Sequence, residues 1–162
     1  MMKIGFIGTG LMGLPMAKNL LKSDFKLKVF NRSINKAEPL KEFGAEISKT
    51  LGEVVKDNDF IITMLTDDSA VDAIMNNSDL SENLKSGSTV IDMSSVKPTT
   101  ATKYGKSLKS KNVNYLDAPV SGGTIGAEEA SLAIMVGGEQ NIFDNSINIL
   151  KACLLYTSDA AD

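Results

Sequence analysis

Histidine is absent from the chain's 162 residues. That excludes Ser-His-Asp and Cys-His machinery, a His-rich metal site, and any dehydrogenase that carries its proton on histidine. Acid–base work must fall to Lys, Tyr, Asp, Glu or Cys. One cysteine, Cys153, has no partner for an internal disulfide, so a cytoplasmic setting is expected. No apolar run approaches the roughly 20 residues of a membrane span. The start, MMKIGFIG, lacks the long apolar stretch and small-residue cleavage site of a signal peptide. Neither charge sign dominates: 17 Lys+Arg stand against 20 Asp+Glu, a net charge of −3. That leaves no electrostatic footprint for a nucleic acid or an anionic membrane, and neither is expected as a partner. Internal repeats and low-complexity linkers are also missing.

What is present suits one globular domain, 43% hydrophobic and 23% charged. Short apolar runs alternate with longer amphipathic stretches. Strands are predicted over 3–8, 27–30, 60–65, 89–93, 113–117 and 132–137, with a short one at 45–48. Helices are predicted over 11–22, 34–43, 50–57, 68–76, 98–110 and 139–150. Strands alternating with helices indicate an α/β fold with a doubly wound, mainly parallel sheet. The strands read as apolar throughout, as expected where helices cover both faces. Asp67, Asp68 and Ser69 stand at the start of the 68–76 helix, where acidic and hydroxyl side chains suit the positive end of its dipole.

GFIGTGLMG carries Gly8, Gly10 and Gly13 as G-x-G-x-x-G between a predicted strand and a predicted helix, which is the setting of a Rossmann-type dinucleotide site. Gly8 allows a tight turn, Gly10 lets the backbone approach a pyrophosphate, and Gly13 lets helix and strand pack closely. The whole loop, Gly8, Thr9, Gly10, Leu11, Met12 and Gly13, is expected to hold the cofactor, with helix N–H groups offered to its phosphates.

An acid normally ends the second strand of such a site and binds the adenine ribose. Here that place reads VFNRS, with no acid. Asn31 can hydrogen-bond a ribose hydroxyl or its phosphate ester. Arg32 offers a planar fork of donors, Ser33 can cap the following helix and reach a phosphate, and Lys36 adds charge. A carboxylate would repel a 2′-phosphate, whereas this cluster attracts one. NADP(H) is therefore expected to be preferred, with NAD(H) as the alternative.

DAPVSGGTIGAEEASLAIMVGG follows the fifth long strand. Ser121, Gly122 and Gly123 fall at the tip of a loop beyond a strand's carboxyl end, where ligands of open α/β sheets sit. The Ser121 hydroxyl and the two glycine N–H groups can cradle a substrate carboxylate. Glu128 and Glu129 resemble a catalytic pair but read as the acidic start of a segment or a surface feature. The SLAIMVGG strand reads as sheet core, and Met135 needs no function. In IDMSS, Ser95 is expected to touch the nicotinamide end of the cofactor, and Asp92 to tie loops together. Met64 and Leu65 should run beneath the cofactor.

GFIGTGLMGLPMAKNL, VFNRS, VIDMSS and DAPVSGG stand in one order that resembles the β-hydroxyacid dehydrogenase family, which includes 3-hydroxyisobutyrate dehydrogenase, tartronate semialdehyde reductase and the glyoxylate/succinic semialdehyde reductases. The resemblance runs from Lys3 to about Ala152. It is narrower than a general fingerprint, since Met12, Met16 and Asn19 accompany the glycines; Thr9 replaces a more usual aliphatic residue. It implies hydride transfer between a nicotinamide and a short 3-hydroxy or 2-hydroxy acid or semialdehyde. It further implies a proton-carrying lysine on a later helix, an asparagine four residues on, and an all-helical domain through which a homo-oligomer forms. Nothing in this sequence matches that lysine. Lys151 comes too early, so no catalytic residue is assigned, and this chain alone is expected to be nearly inactive. Family members continue differently after residue 152. CLLYTSDAAD instead resembles a translated sequencing-library adapter, so the expected division is a cofactor domain at 1–152 and a non-native tail at 153–162. Two other readings stay open. One is an NADPH-using imine reductase, for which the DAPVSGG cradle has little purpose. The other is a non-catalytic dinucleotide-binding or interaction module.

Overall fold

The computed structural model describes residues 2–159, and residues 154–159 by their backbone. Strands β1 (Lys3–Ile7), β2 (Lys26–Phe30), β3 (Glu46–Ile47), β4 (Phe60–Thr63), β5 (Thr89–Asp92) and β6 (Asn114–Asp117) form one sheet in the order β3-β2-β1-β4-β5-β6. Every pairing in it is parallel. The order reverses direction between β1 and β4, so a crevice opens over their carboxyl ends, the place where such sheets bind ligands.

β4 and β5 are buried along their whole length. Alternate side chains serve opposite faces: Phe60 and Ile62 pack with Ile4, Phe6, Met16 and Leu20 on one, and Ile61 packs with Ile7, Val54 and Val71 on the other. Helix α1 (Gly13–Lys22) covers the first face; α2 (Leu51–Val55), α3 (Asp68–Met75) and α5 (Pro98–Lys109) supply the second. The backbones approach so closely that a Cβ on Gly5 of β1 would stand 2.2 Å from the Val54 carbonyl oxygen. The α3 N-terminus is capped as its sequence suggested, the Asp67 carboxylate accepting from the Ala70 N–H at 2.8 Å.

Several elements differ from the sequence expectation. The 34–43 stretch forms two 3-10 segments, Ile34–Lys36 and Glu38–Phe43, because Pro39 cannot continue a helix begun at Ile34. Helix α4 (Ser78–Asn83) is additional, capped by Asn77, whose side chain accepts from the Asp79 and Leu80 N–H groups. The loop after Asp117 contains β7 (Val120–Ser121) and a short helix α6 (Gly123–Glu129). Glu128 and Glu129 therefore end a helix rather than start a segment.

The 132–137 strand lies outside the main sheet, although its buried side chains join the same hydrophobic core. As β8 (Leu132–Val136) it belongs to a second sheet of order β7-β8-β9, antiparallel to β7 and parallel to β9 (Leu154–Asp159). It alternates, with Leu132, Ile134 and Val136 buried and Ala133 and Met135 exposed. Helix α7 (Gln140–Lys151) leads into β9, so residues the sequence reading set aside as a tail pair with β8, and Cys153 is fully buried. The backbones of Asp117 and Gly137 exchange both hydrogen bonds, at 3.0 and 2.8 Å, and join the two sheets. Among the described residues no helix is long and apolar enough to cross a membrane.

Candidate functional site

The glycine loop leaves β1 at the crevice, and its three glycines divide their work. Gly8 has φ of 103°, and a Cβ there would stand 2.2 Å from the Met64 carbonyl oxygen. A Cβ on Gly13 would stand 1.8 Å from the Gly8 carbonyl oxygen. These two are required by the chain's own packing. A Cβ on Gly10 would meet nothing within 4 Å, so the space in front of it is open to a ligand. The first turn of α1 contains no acid and has no side-chain cap, which suits an approaching anion.

Two cavities flank the loop. The first, about 510 Å³, runs from Gly8 and Gly10 past Asn31, Arg32, Ser33 and Lys36 to the Ala70, Ala73 and Ile74 face of α3. The whole NRS cluster is thus brought together. Asn31 acts within the protein: its Oδ1 accepts from the Thr9 N–H at 2.9 Å, and its Nδ2 donates to the Ser33 carbonyl at 3.0 Å. It locks the glycine loop to the end of β2. Ser33 makes no side-chain cap, contrary to the expectation. Arg32 and Lys36 enter no ion pair among the described residues. The cavity's one carboxylate, Asp67, caps its own helix.

The second cavity, about 530 Å³, is lined by Gly10, Leu11, Met12 and Gly13 of the glycine loop, by Ser121, Gly122 and Gly123, and by Ser95. Gly10, Met64, Leu65 and Thr66 line both cavities, which makes them one groove. Leu11 is 85% exposed at its mouth. Thr9 is 2% exposed and lines neither cavity. The sequence reading missed Thr66, Met93 and Val120, which also line the groove; single uncharged residues next to strand ends gave no signal of a ligand wall.

Beneath the groove a buried network fixes the loops that form its floor. The Thr63 hydroxyl donates to Asp92 Oδ1 at 2.9 Å, and the Ser94 N–H donates to the same oxygen at 3.1 Å. The Leu65 N–H donates to Ser94 Oγ at 2.8 Å. Asp92 thus ties the loop after β4 to the loop after β5. Burial holds its carboxyl above the ordinary carboxylate range, against the pull of these hydrogen bonds. Asp117 faces it across the β5–β6 register, and burial together with the Asp92 charge pushes it up to about 6. Burial pushes the Cys153 thiol up to about 12, so it holds its proton at neutral pH and is no nucleophile.

A third cavity of about 520 Å³ lies at the sheet's far edge, between α5, β6 and the start of α7. None of the site residues named from the sequence lines it. No group of three or more Asp, Glu, Cys or His side chains among the described residues could hold a metal ion.

The family model described as the NAD binding domain of 6-phosphogluconate dehydrogenase matches residues 3–154. An uncharacterized oxidoreductase of Bacillus subtilis is 43% identical over 149 residues, covering 91% of this chain and 52% of that protein. The 2-hydroxy-3-oxopropionate reductase of Escherichia coli is 39% identical over 145 residues, covering 88% of this chain and 49% of that protein. The structure of Mycobacterium tuberculosis 3-hydroxyisobutyrate dehydrogenase with L-serine superposes with a TM-score of 0.94 at 29% identity, over 99% of this chain and 55% of that one. The chain spans about half the length of the curated relatives it matches.

Proposed function

The chain belongs to the family of the 6-phosphogluconate dehydrogenase NAD-binding domain, of the hydroxyacid-dehydrogenase type, and from that premise we propose that it is the NADP(H)-binding domain of an enzyme that moves a hydride between the nicotinamide and a short hydroxy acid or semialdehyde acid. The observation that carries the proposal is the continuous groove, with two cations at one end and a hydroxyl-bearing glycine turn at the other.

The open space at Gly10 fits a pyrophosphate against the backbone. Arg32, Ser33 and Lys36 bind the 2′-phosphate, and Asn31 holds the loop that presents them. Met64 and Leu65 form the floor beneath the nicotinamide ribose, and Ser95 lies at the nicotinamide end. The bound nicotinamide supplies or accepts the hydride. Ser121 donates its hydroxyl to the substrate carboxylate, and Gly122 and Gly123 bring backbone N–H groups close because they lack side chains. Asp92 is buried away from the groove behind Thr63 and Ser94 and holds the floor rather than moving a proton.

We further propose that the proton carrier is a lysine encoded beyond residue 152, and that residues 153–162 are foreign to the parent protein even though the family match reaches residue 154 and 154–159 pair with β8. Sequencing the source DNA across codon 152 tests the second point: a frame that continues into a glycine-rich turn, a lysine, and an asparagine four residues later is expected. The protein expressed from that frame should oxidise NADPH in the presence of glyoxylate, succinic semialdehyde or tartronate semialdehyde. No turnover with any short keto or semialdehyde acid would refute the proposed activity.

A further inference from the structure

The glycine loop and the Ser121–Gly123 turn both line the groove, yet they are far apart in sequence, the one following β1 of the large sheet and the other starting in β7 of the small one. Their spacing depends on how α6 is held. This helix has seven residues, below the roughly 12–15 at which an isolated helix becomes even marginally stable, so its position is set by what it packs on. It packs on α1 and β8. A Cβ on Gly126 would stand 3.1 Å from Leu132 Cδ2, and Ala127 is fully buried. The helix ends on Ala130 in the left-handed region, at φ of 55°, where a non-glycine residue is strained.

Asn19 completes this seat. Its Nδ2 donates to the Ala127 carbonyl oxygen at 2.7 Å, bridging 108 residues of sequence. Ala127 is one of the last four carbonyls of α6, which no helical N–H can satisfy. Among the described residues, Asn19 is the one side chain of another element that hydrogen-bonds the α6 backbone. Asn19 stands on α1, the helix that starts at Gly13. One rigid helix therefore carries the glycine loop at its start and clamps the substrate-side helix further along.

We propose that Asn19 is a positioning residue that fixes the Ser121–Gly123 turn relative to the glycine loop, and thereby sets where a substrate carboxylate sits with respect to the nicotinamide. The functional half of this rests on the reading of the groove given above; the structural half does not. The test uses the whole 162-residue chain with Asn19→Leu, close in size but without a donor, and Asn19→Gln, which keeps the donor. Amide hydrogen exchange over residues 122–130 is expected to speed up roughly tenfold in Asn19→Leu, while β1 and β4 exchange as in the wild type. NADPH affinity should stay within about twofold, since Asn19 lines neither cavity. Asn19→Gln should restore most of the protection. Unchanged exchange over 122–130, or equal acceleration throughout the chain, overturns the proposal.

The second arm titrates the NADP+-loaded chain with 3-hydroxypropanoate, whose dissociation constant should rise roughly tenfold in Asn19→Leu. Equal affinity in wild type and variant would overturn the functional half while leaving the proposed function standing. A wild-type chain that binds NADP+ but no acid would instead remove the carboxylate cradle, and the exchange data would still decide the role of Asn19.

Discussion

The two sheets bury their strands in different ways. In the six-stranded sheet, β4 and β5 are buried on both faces and covered by helices, and parallel neighbours fix their register. In the three-stranded sheet, β8 buries every second residue and shows Met135 to solvent at 59%. The large sheet carries the cofactor end of the groove on a core two layers deep. The small sheet carries the Ser121–Gly123 turn on a short helix, an antiparallel β7–β8 pair and one bridge to β6. The glycine-loop end of the groove is thus built into the bulk of the domain, and the Ser121–Gly123 end is held by a smaller sheet and a short helix seated on the same core.

The sharpest way to separate packing from binding is within the glycine loop. Gly13→Ala drives a Cβ onto the Gly8 carbonyl and should cost about 4 kcal/mol, a large share of the roughly 5–15 kcal/mol that holds an ordinary domain folded. Gly10→Ala meets open space and should change stability by less than about 0.5 kcal/mol while weakening dinucleotide binding. Chemical denaturation with cofactor titration distinguishes the two. Next in size is Asp92→Ala, which strips the acceptor from Thr63 and Ser94 and should cost about 3 kcal/mol; Asp92→Asn keeps an acceptor oxygen and should cost about 1 kcal/mol. Denaturation midpoints give both values.

Asp117, at the junction of the sheets, should have a smaller, pH-dependent effect. Its folded pKa is raised, from 3.8 to about 6, so the folded state binds the proton more tightly than the unfolded state does. The stabilisation is fully present below about pH 4 and is lost as pH rises through about 6. Melting temperatures followed from pH 4 to 8 should fall more steeply in the wild type than in Asp117→Asn. A parallel course would show that Asp117 does not titrate in this window. Met135→Lys, on the exposed face of β8, should shift stability by less than about 0.5 kcal/mol. A larger loss on denaturation would mean that this face is covered in solution.

The same contrast explains what the sequence revealed. Short runs rich in β-branched and apolar residues, such as FIIT and TVID, alternating with longer amphipathic stretches read as buried strands, and glycines at fixed spacing between strand and helix have few other uses, so the large sheet and the turn carrying Gly8, Gly10 and Gly13 were legible. So was the clustering of Asn31, Arg32, Ser33 and Lys36. The role of Asn31 was not, because a side chain that can bond a ribose can equally bond the Thr9 N–H, and only the fold chooses. Helix α6 was read as loop because TIGAEE is too short for an apolar period and contains Gly126. Strand β8 was assigned to the main sheet because its alternation is masked: the exposed positions, Ala133 and Met135, are themselves apolar. The pairing of β9 with β8 depends on an open edge that no local pattern announces.

The central claim is that the end of β2 selects the phosphorylated cofactor. Titrating the chain with NADPH and with NADH, followed by nicotinamide fluorescence, in wild type and Arg32→Ala, tests it most directly. Charge-assisted hydrogen bonds of about 1.5–3 kcal/mol predict roughly tenfold or tighter binding of NADPH in the wild type. Arg32→Ala should remove most of that preference and leave NADH affinity unchanged. Equal affinities in the wild type, or a preference that survives the loss of Arg32, would contradict the account.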